Sequence, residues 1–325
     1  MTAVETAQRL ADDLLFPRAL ETDRAEVVPR DLLDALANAG LYGLAGPAAA
    51  GGADADFATV CDVVEALCSG CLTTAFVWAQ HLGAVRAAAM SDNPPIRDWV
   101  APLCNGEVRA GLALGGAVAG PPALVARETP HGWLFDGESP FVSGWNRIDV
   151  VHTAARTDDG RLVWALVDAG ERETLAVERL RLVTLDATAT VRASFRGHPV
   201  PSDRVTSVSP YREGPTPPEV LRIHASFALG VVRRCCLLLG GGPLDAALDE
   251  LRATLDAADA ETMPAARAAA GELALRAAAR VMVEQGSRSL LLEAHAQRLA
   301  REALFVLVYA LRPPVRTALL DLLAE

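Results

Sequence analysis

Cysteine thiolates bind metals and form disulfides, so the six cysteines are the first residues to test for chemistry. Cys68 and Cys71 form one Cys-x-x-Cys pair, but a zinc site needs a second pair or two histidines at defined spacing. Because this pair lies in an apolar stretch, we interpret it as core packing. Free thiols are typical of a reducing compartment, and we expect a cytoplasmic protein. The remaining cysteines have neither metal-ligand spacing nor the pattern of a disulfide framework: Cys61, Cys104, Cys235 and Cys236.

The charge balance limits the partners of the chain. Its 30 basic and 41 acidic residues give a net charge of −11 at neutral pH. A protein that binds nucleic acid needs a basic face to neutralise phosphates, so we expect no nucleic acid partner. Hydrophobic residues make up 51% of the chain, and the mean hydropathy is +0.22. This composition excludes intrinsic disorder and predicts a folded protein.

Two stretches without charged residues raise the question of a membrane. Residues 35–53 contain five glycines and a proline, which a continuous helix does not tolerate. Residues 66–85 include polar side chains and are better explained as a buried core helix. The N-terminus carries acidic residues and no basic segment before an apolar one, so the sequence predicts no signal peptide and no membrane partner.

Three zones of the chain differ in their patterns. Residues 1–105 have helical periodicity, with Gly40 at an expected helix end and an apolar run from Phe57 to about Met90. Residues 106–209 contain strand patterns and the turn Asp158-Asp159-Gly160, which predicts a hairpin. Residues 210–325 begin with a proline-rich linker and continue as four or five helices. The order predicts an α+β protein with an N-terminal helical domain, a central β-barrel-like domain and a C-terminal helical bundle.

Several motifs, taken in order, resemble those of the acyl-CoA dehydrogenase superfamily. The resemblance covers most of the chain and has the same domain order. Its motifs are Gly40-Leu41-Tyr42-Gly43-Leu44 with Pro47 and Gly51-Gly52 in the helical zone, then Gly132-Trp133, Phe141-Val142-Ser143-Gly144, Asp149-Val150-Val151 and Val200-Pro201-Ser202-Asp203-Arg204-Val205 in the β zone.

The resemblance implies a flavin adenine dinucleotide (FAD) between the β domain and the C-terminal bundle, usually in a dimer or tetramer. It implies that Phe141 packs on the isoalloxazine ring. It also implies that Ser143 donates from its hydroxyl or its backbone toward N5 and O4 of the ring. Donors there stabilise the negative charge of a reduced flavin.

A threonine-containing segment of the family aligns with residues 115–122, where only Ala119 and Gly120 match. The family's threonine is therefore absent. Glycines permit close approach of the backbone, so we expect the flavin to be held here by backbone groups instead. The expected cofactor-binding residues are Leu114, just before this segment, and Gly115, Gly116 and Gly120 within it.

Removal of the α-proton of an acyl thioester requires a base above the substrate. Some members of the family carry a glutamate near the start of the first bundle helix, and Glu219 lies within one residue of that place. An acidic residue in a first helical turn also stabilises the helix dipole without any catalytic role. Both interpretations of Glu219 stay open at this point.

Another branch of the superfamily uses the same scaffold for flavin-dependent oxygenation, with a Ser-Gly pair and a histidine from the N-terminal helices. Ser143-Gly144 and His81 match these features in kind. Histidine suits such chemistry because its pKa lies near neutrality. The alternative is that His81 is a hydrogen-bonded core residue.

The resemblance favours a flavin-dependent oxidoreductase that acts on acyl-CoA or a related carrier-bound substrate. Two alternatives stay open. The chain is a non-catalytic subunit that pairs with a longer relative in a heteromer, or it is a flavin-dependent monooxygenase. As partners we expect the thioester substrate and either a second copy of the chain or that longer relative.

Overall fold

The computed structural model describes residues 1–324, and within them helices, strands and helices follow one another in chain order. The N-terminal helices are α1 Ala3–Leu10, α2 Ala19–Arg24, α3 Arg30–Asn38, α4 Phe57–Gly70, α5 Leu72–Ala79, α6 Leu82–Ala89 and α7 Val100–Cys104. The strands are β1 Ala110–Ala113, β2 Leu124–Thr129, β3 Gly132–Val142, β4 Val150–Arg156, β5 Arg161–Asp168, β6 Leu175–Arg179, β7 Val191–Pro201 and β8 Val205–Pro210. The C-terminal helices are α8 Pro218–Leu239, α9 Pro243–Ala257, α10 Met263–Gln285, α11 His295–Val308 and α12 Pro313–Leu322.

The apolar run from Phe57 to about Met90 is helical, but it is divided among α4, α5 and α6. The first break is at Cys71, whose backbone is extended at φ −152° and ψ 105°. Just before it, α4 touches the chain that follows α1: a Cβ on Gly70 would lie 2.8 Å from the Ala11 Cα. The expectation that residues 66–85 form one buried core helix was therefore wrong, because apolar composition alone does not reveal where a helix must turn to follow its neighbours.

The eight strands form one sheet in the order β6-β7-β3-β2-β4-β5-β8, and β1 pairs with β4. β4 and β5 are antiparallel neighbours joined through the predicted Asp158-Asp159-Gly160 turn, where Gly160 has a φ of +81°. The hairpin prediction is confirmed. Aromatic and branched side chains from these strands form the core on one face of the sheet, including Trp133, Phe135, Val163 and Phe195.

The N-terminal and C-terminal helices share one hydrophobic core. α4 and α8 cross closely, because a Cβ on Gly230 would lie 2.4 Å from the Cys68 Cβ. Arg234 of α8 is buried and donates from Nε to the Ser69 carbonyl at 2.6 Å. The β sheet is thus inserted in sequence between two halves of a single helical body. None of the helices in residues 1–324 is long and apolar enough to cross a bilayer.

Candidate functional site

Left-handed backbone at non-glycine residues is concentrated in two short segments of the chain, and elsewhere among the described residues it occurs at Asp54 and Ala310. Four non-glycine residues with positive φ lie in them: Phe141 (58°), Asn146 (68°), Leu185 (56°) and Ala189 (50°). Each such conformation costs about 1–3 kcal/mol, and this kind of strain is concentrated at functional sites. We call residues 141–146 the first strained segment and residues 185–190 the second strained segment.

The two strained segments are joined by hydrogen bonds. The Gly144 N–H donates to the Thr188 carbonyl at 2.7 Å. The Ser143 and Thr190 hydroxyl oxygens are 2.7 Å apart, and those of Thr190 and Thr188 are also 2.7 Å apart. Thr188 in turn donates to the Leu185 carbonyl at 2.7 Å. All three hydroxyl side chains are buried, so this is a dry, connected network rather than a surface contact.

Phe141 occupies an irregularity at the end of β3. The pairing of β3 with β7 shifts register between Ser139 and Val142. There the Phe141 side chain is 67% exposed, which is unusual for a large aromatic residue. An exposed ring held on a strained backbone suits contact with a planar ligand.

Open space lies beside the strained segments. A surface depression of about 270 Å³ is lined by Trp145 and Asn146 from the first segment and by Ala189 from the second. Val177, Arg179, Glu171 and Val191 complete its wall. The two segments thus approach each other at the surface as well as in the hydroxyl network.

The glycine-rich segment 115–120 does not offer the donors expected of it at two positions. The Gly115 N–H donates to the Ser139 hydroxyl at 3.2 Å, and the Gly116 N–H donates to the Ala154 carbonyl at 2.9 Å. A Cβ on Gly115 would lie 2.4 Å from the Glu138 carbonyl oxygen. The expectation that Gly115 and Gly116 hold a flavin is therefore corrected, because these glycines are needed for packing between strands. Leu114 is partly exposed, and its role stays a prediction.

The same segment is folded around a buried cation. Arg156 of β4 donates to the Gly116 carbonyl from Nε at 3.1 Å and from Nη2 at 2.9 Å. It also donates to the Val118 carbonyl at 2.6 Å and to the Gly120 carbonyl at 2.8 Å. Its guanidinium lies 3.4 Å from the centre of the Tyr211 ring. Gly120, a predicted cofactor residue, thus contributes its carbonyl to a protein contact, and we call this arrangement the Arg156 cage.

His81 is buried, and both of its ring nitrogens have backbone partners. Nε2 lies 3.0 Å from the Leu103 carbonyl, and Nδ1 accepts from the Ala110 N–H at 2.9 Å. Burial lowers the pKa of His81 to about 4. A neutral imidazole with both nitrogens engaged has no group left for proton transfer. The prediction of a catalytic His81 is thus corrected to a structural role, in which the ring joins α6 and α7 to β1.

Glu219 is exposed in the first turn of α8. This position agrees with an acidic residue that stabilises the helix dipole. The structure does not bring Glu219 to the hydroxyl network by any hydrogen bond among the described residues. Its catalytic role therefore stays a prediction.

Charged residues of α11 form ion pairs within the helical body. Arg298 and Glu302 are both buried and paired, at 2.5 Å. Arg301 pairs with Asp23 of α2 and bonds to Gln297 on its own helix. The six cysteines are buried too, and burial raises the pKa of Cys235 to about 12, so that thiol stays protonated at neutral pH. Arg298 and Glu302 thus pair inside the helical body, as their spacing of four positions in one helix allows.

Comparison with known proteins identifies the fold. Residues 2–107 match the family of acyl-CoA dehydrogenase N-terminal domains. Butyryl-CoA dehydrogenase from Megasphaera elsdenii has a similar structure, with a TM-score of 0.80 at 15% identity, covering 99% of this chain and 97% of that one. The FAD complex of PigA has a TM-score of 0.80 at 16% identity, covering 99% and 96% of the two chains. The chain therefore has the acyl-CoA dehydrogenase fold.

Sequence comparison agrees with the structural one. Benzylmalonyl-CoA dehydrogenase of Aromatoleum aromaticum is 25% identical over 245 residues, which are 70% of this chain and 64% of that protein. Mammalian short-chain specific acyl-CoA dehydrogenases are matched over 39% to 40% of their length. The resemblance to the acyl-CoA dehydrogenase superfamily that the motifs indicated is confirmed.

Proposed function

We propose that the chain is a flavin-dependent oxidoreductase that binds FAD and acts on an acyl thioester carried by coenzyme A or a related carrier. The observation that supports this most is the pair of strained segments, which holds an exposed Phe141 and a buried Ser143 two residues apart. Maintaining left-handed backbone at several neighbouring positions requires compensation from the surrounding structure, and a cofactor site gives a reason for it.

The residues fit the ring of FAD better than they fit the rest of it. Phe141 offers an exposed aromatic surface for the isoalloxazine. Ser143 offers a hydroxyl oxygen for the polar edge of that ring. The glycine-rich segment does not fit as first expected, since the N–H groups of Gly115 and Gly116 already donate to protein atoms. We therefore assign the ring to the first strained segment and leave Gly115 and Gly116 to packing.

When bound, FAD supplies the acceptor for a hydride. The chain itself would orient the cofactor, through stacking by Phe141 and through a hydrogen bond at Ser143. The hydrogen bond with the buried Thr190 side chain holds the Ser143 hydroxyl in place. An acyl thioester would also need a base, for which Glu219 is the residue proposed from sequence.

A second candidate is a non-catalytic subunit of a heteromer. Two observations favour it: both ring nitrogens of His81 already have backbone partners, and Glu219 is exposed. Neither residue is therefore held in place to act as a base. On this interpretation the chain keeps the fold but binds FAD only together with a longer relative.

Flavin binding decides between these candidates. When FAD is titrated into the purified protein, its fluorescence should be quenched. The Kd from this titration should be in the micromolar range or below. Phe141→Ala should weaken binding at least tenfold, because an aromatic stacking contact contributes about 0.5–1.5 kcal/mol beyond its buried area. Met90→Ala is the matched control, since Met90 is a large apolar side chain that is 71% exposed elsewhere on the surface.

Each result of the FAD titration excludes one of the candidates or one of the assigned residues. No quenching by the folded wild-type protein at about a hundred micromolar FAD would exclude the stand-alone flavoprotein and leave the subunit. Equal affinity of wild type and Phe141→Ala would remove Phe141 from the site. If FAD binds, anaerobic addition of acyl-CoA or acyl-carrier thioesters should bleach the absorbance near 450 nm. A flavin that no such thioester reduces would contradict the proposed substrate class.

A further inference from the structure

The direction of the hydroxyl network follows from counting protons. A hydroxyl has one proton to donate, and a carbonyl oxygen has none. Thr188 gives its proton to the Leu185 carbonyl, so Thr188 can only accept from Thr190. Thr190 has then used its own proton and must accept from Ser143. The Ser143 proton therefore points inward, and only oxygen lone pairs are left for anything outside.

From this direction we infer that Thr188 and Thr190 are positioning residues that make Ser143 a hydrogen-bond acceptor toward N5 of the flavin, and that they thereby favour reduced over oxidised cofactor. The inference rests on the proposed function, since it places the isoalloxazine at Ser143. Oxidised flavin has a lone pair at N5, which needs a hydrogen-bond donor. A Ser143 hydroxyl whose proton points inward offers N5 only another lone pair. Reduced flavin has an N5–H, which the Ser143 oxygen can accept.

The Leu185 carbonyl fixes the direction in which the three hydroxyls donate. If the Ser143 hydroxyl turned to donate outward, one of two hydrogen bonds would be lost. Either the Ser143–Thr190 bond breaks, or Thr190 and Thr188 turn as well and the Leu185 carbonyl keeps only the Thr188 N–H, at 3.0 Å, as its donor. The three hydroxyls lie in a buried site where water cannot replace a lost partner, so reversal is unfavourable. This corrects the expectation that the Ser143 hydroxyl donates toward N5.

Thr190→Val tests the inference, because valine keeps the shape of threonine and removes the acceptor of the Ser143 proton. Ser143 is then free to donate to oxidised flavin. One hydrogen bond changes an equilibrium constant by about tenfold, so the preference for reduced flavin should fall by about that factor. For a two-electron couple this lowers the midpoint potential by about 30 mV. The potential is measured anaerobically against a reference dye, with xanthine and xanthine oxidase as the reductant.

Three further variants make the result specific. Thr190→Ser keeps the hydroxyl and should keep the wild-type potential. Thr184→Val is the matched control, because the Thr184 hydroxyl is buried in the same region and bonds to no other described atom. In a Ser143→Ala background Thr190→Val should no longer shift the potential, which a purely structural role of Thr190 would not predict. If Thr190→Val does not fold, Thr188→Val takes its place, since it removes the anchor at Leu185 and should shift the potential in the same direction.

The outcomes distinguish this inference from the function on which it rests. A wild-type protein that binds no FAD overturns both. A wild-type protein that binds FAD, with an unchanged or higher potential in Thr190→Val, overturns only the polarity of the network. A shift that persists in the Ser143→Ala background also overturns it, because the effect would then not pass through Ser143.

Discussion

Arg156→Lys should release the loop of residues 115–122 without unfolding the protein. Arg156 is 9% exposed, and its guanidinium makes four hydrogen bonds of 2.6 to 3.1 Å to three carbonyls of this loop. A hydrogen bond to a charged group contributes about 1.5–3 kcal/mol. Lysine keeps the charge but has no planar fork, so it can serve about one of the three carbonyls. Loss of the other two removes roughly 3–6 kcal/mol of closure free energy.

This loss should act locally because the loop can open and hydrate its carbonyls. The free energy of global unfolding is then reduced only by the cost of opening the loop, which we expect to be about 2 kcal/mol or less. Hydrogen exchange followed by mass spectrometry measures both the local opening of the loop and the global unfolding of the protein. Peptides from residues 115–122 should exchange at least tenfold faster in Arg156→Lys, while peptides from β7 keep their protection.

Arg161→Lys is the control for this experiment. Arg161 lies on the neighbouring strand β5, but its partners Glu128 and Asp159 are exposed, so its ion pairs contribute little. Exchange of residues 115–122 should not change in this variant. If Arg156→Lys leaves the loop as protected as in wild type, the Arg156 cage does not hold it, and the contacts described above are not what orders this segment.

Three further predictions concern pH, catalysis and assembly. Burial lowers the pKa of His81 from 6.5 to about 4, so between these pH values the unfolded chain binds a proton that the folded chain does not. The contribution of His81 to the free energy of unfolding is therefore full above pH 6.5 and is lost as the pH falls toward 4. Urea titrations should show a shallower fall of stability with pH for His81→Gln than for wild type. Because Glu219 is the base proposed from sequence, Glu219→Gln should lower turnover by about 10²–10⁴-fold. Turnover within about threefold of wild type, with a loss of about 0.3–1 kcal/mol of stability, would instead leave Glu219 only the stabilisation of the helix dipole. Exposed apolar side chains on α11, among them Leu304 (51%) and Val308 (64%), should be covered in a dimer, and a 34.2 kDa species in light scattering at micromolar concentration would contradict this.

The sequence is informative where a local pattern decides the structure. The Asp158-Asp159-Gly160 turn lies between alternating runs and forms the predicted hairpin, since its glycine supplies the positive φ of +81°. Gly40 likewise ends α3 with a φ of +75°. In both cases the residues that determine the conformation are neighbours in the chain.

The hydroxyl network could not be predicted in this way. Ser143 and Thr190 are 47 positions apart, and their contact depends on a register shift in β3 and on a strained turn before β7. The only local signal is the Thr188-Ala189-Thr190 spacing, which is common in strands that have no such role. The same limit applies to Gly115, because a glycine that packs against a neighbouring strand and one that faces a ligand look alike in sequence.

The shared core of the N-terminal and C-terminal helices has a consequence for how the chain reaches its native state. Arg301 contacts Asp23 across 278 positions, and Arg234 contacts Ser69 across 165. Helices α1 to α7 are made first by the ribosome, but α4 and α5 also pack against α8, which is synthesised only after the sheet. Contacts of such long sequence separation form slowly, and unpaired apolar helices are prone to aggregate while they wait. The sheet, whose strands pair within residues 110–210, can form in that interval, so a nascent chain stopped after β8 should hold a folded sheet attached to N-terminal helices that still lack half of their core.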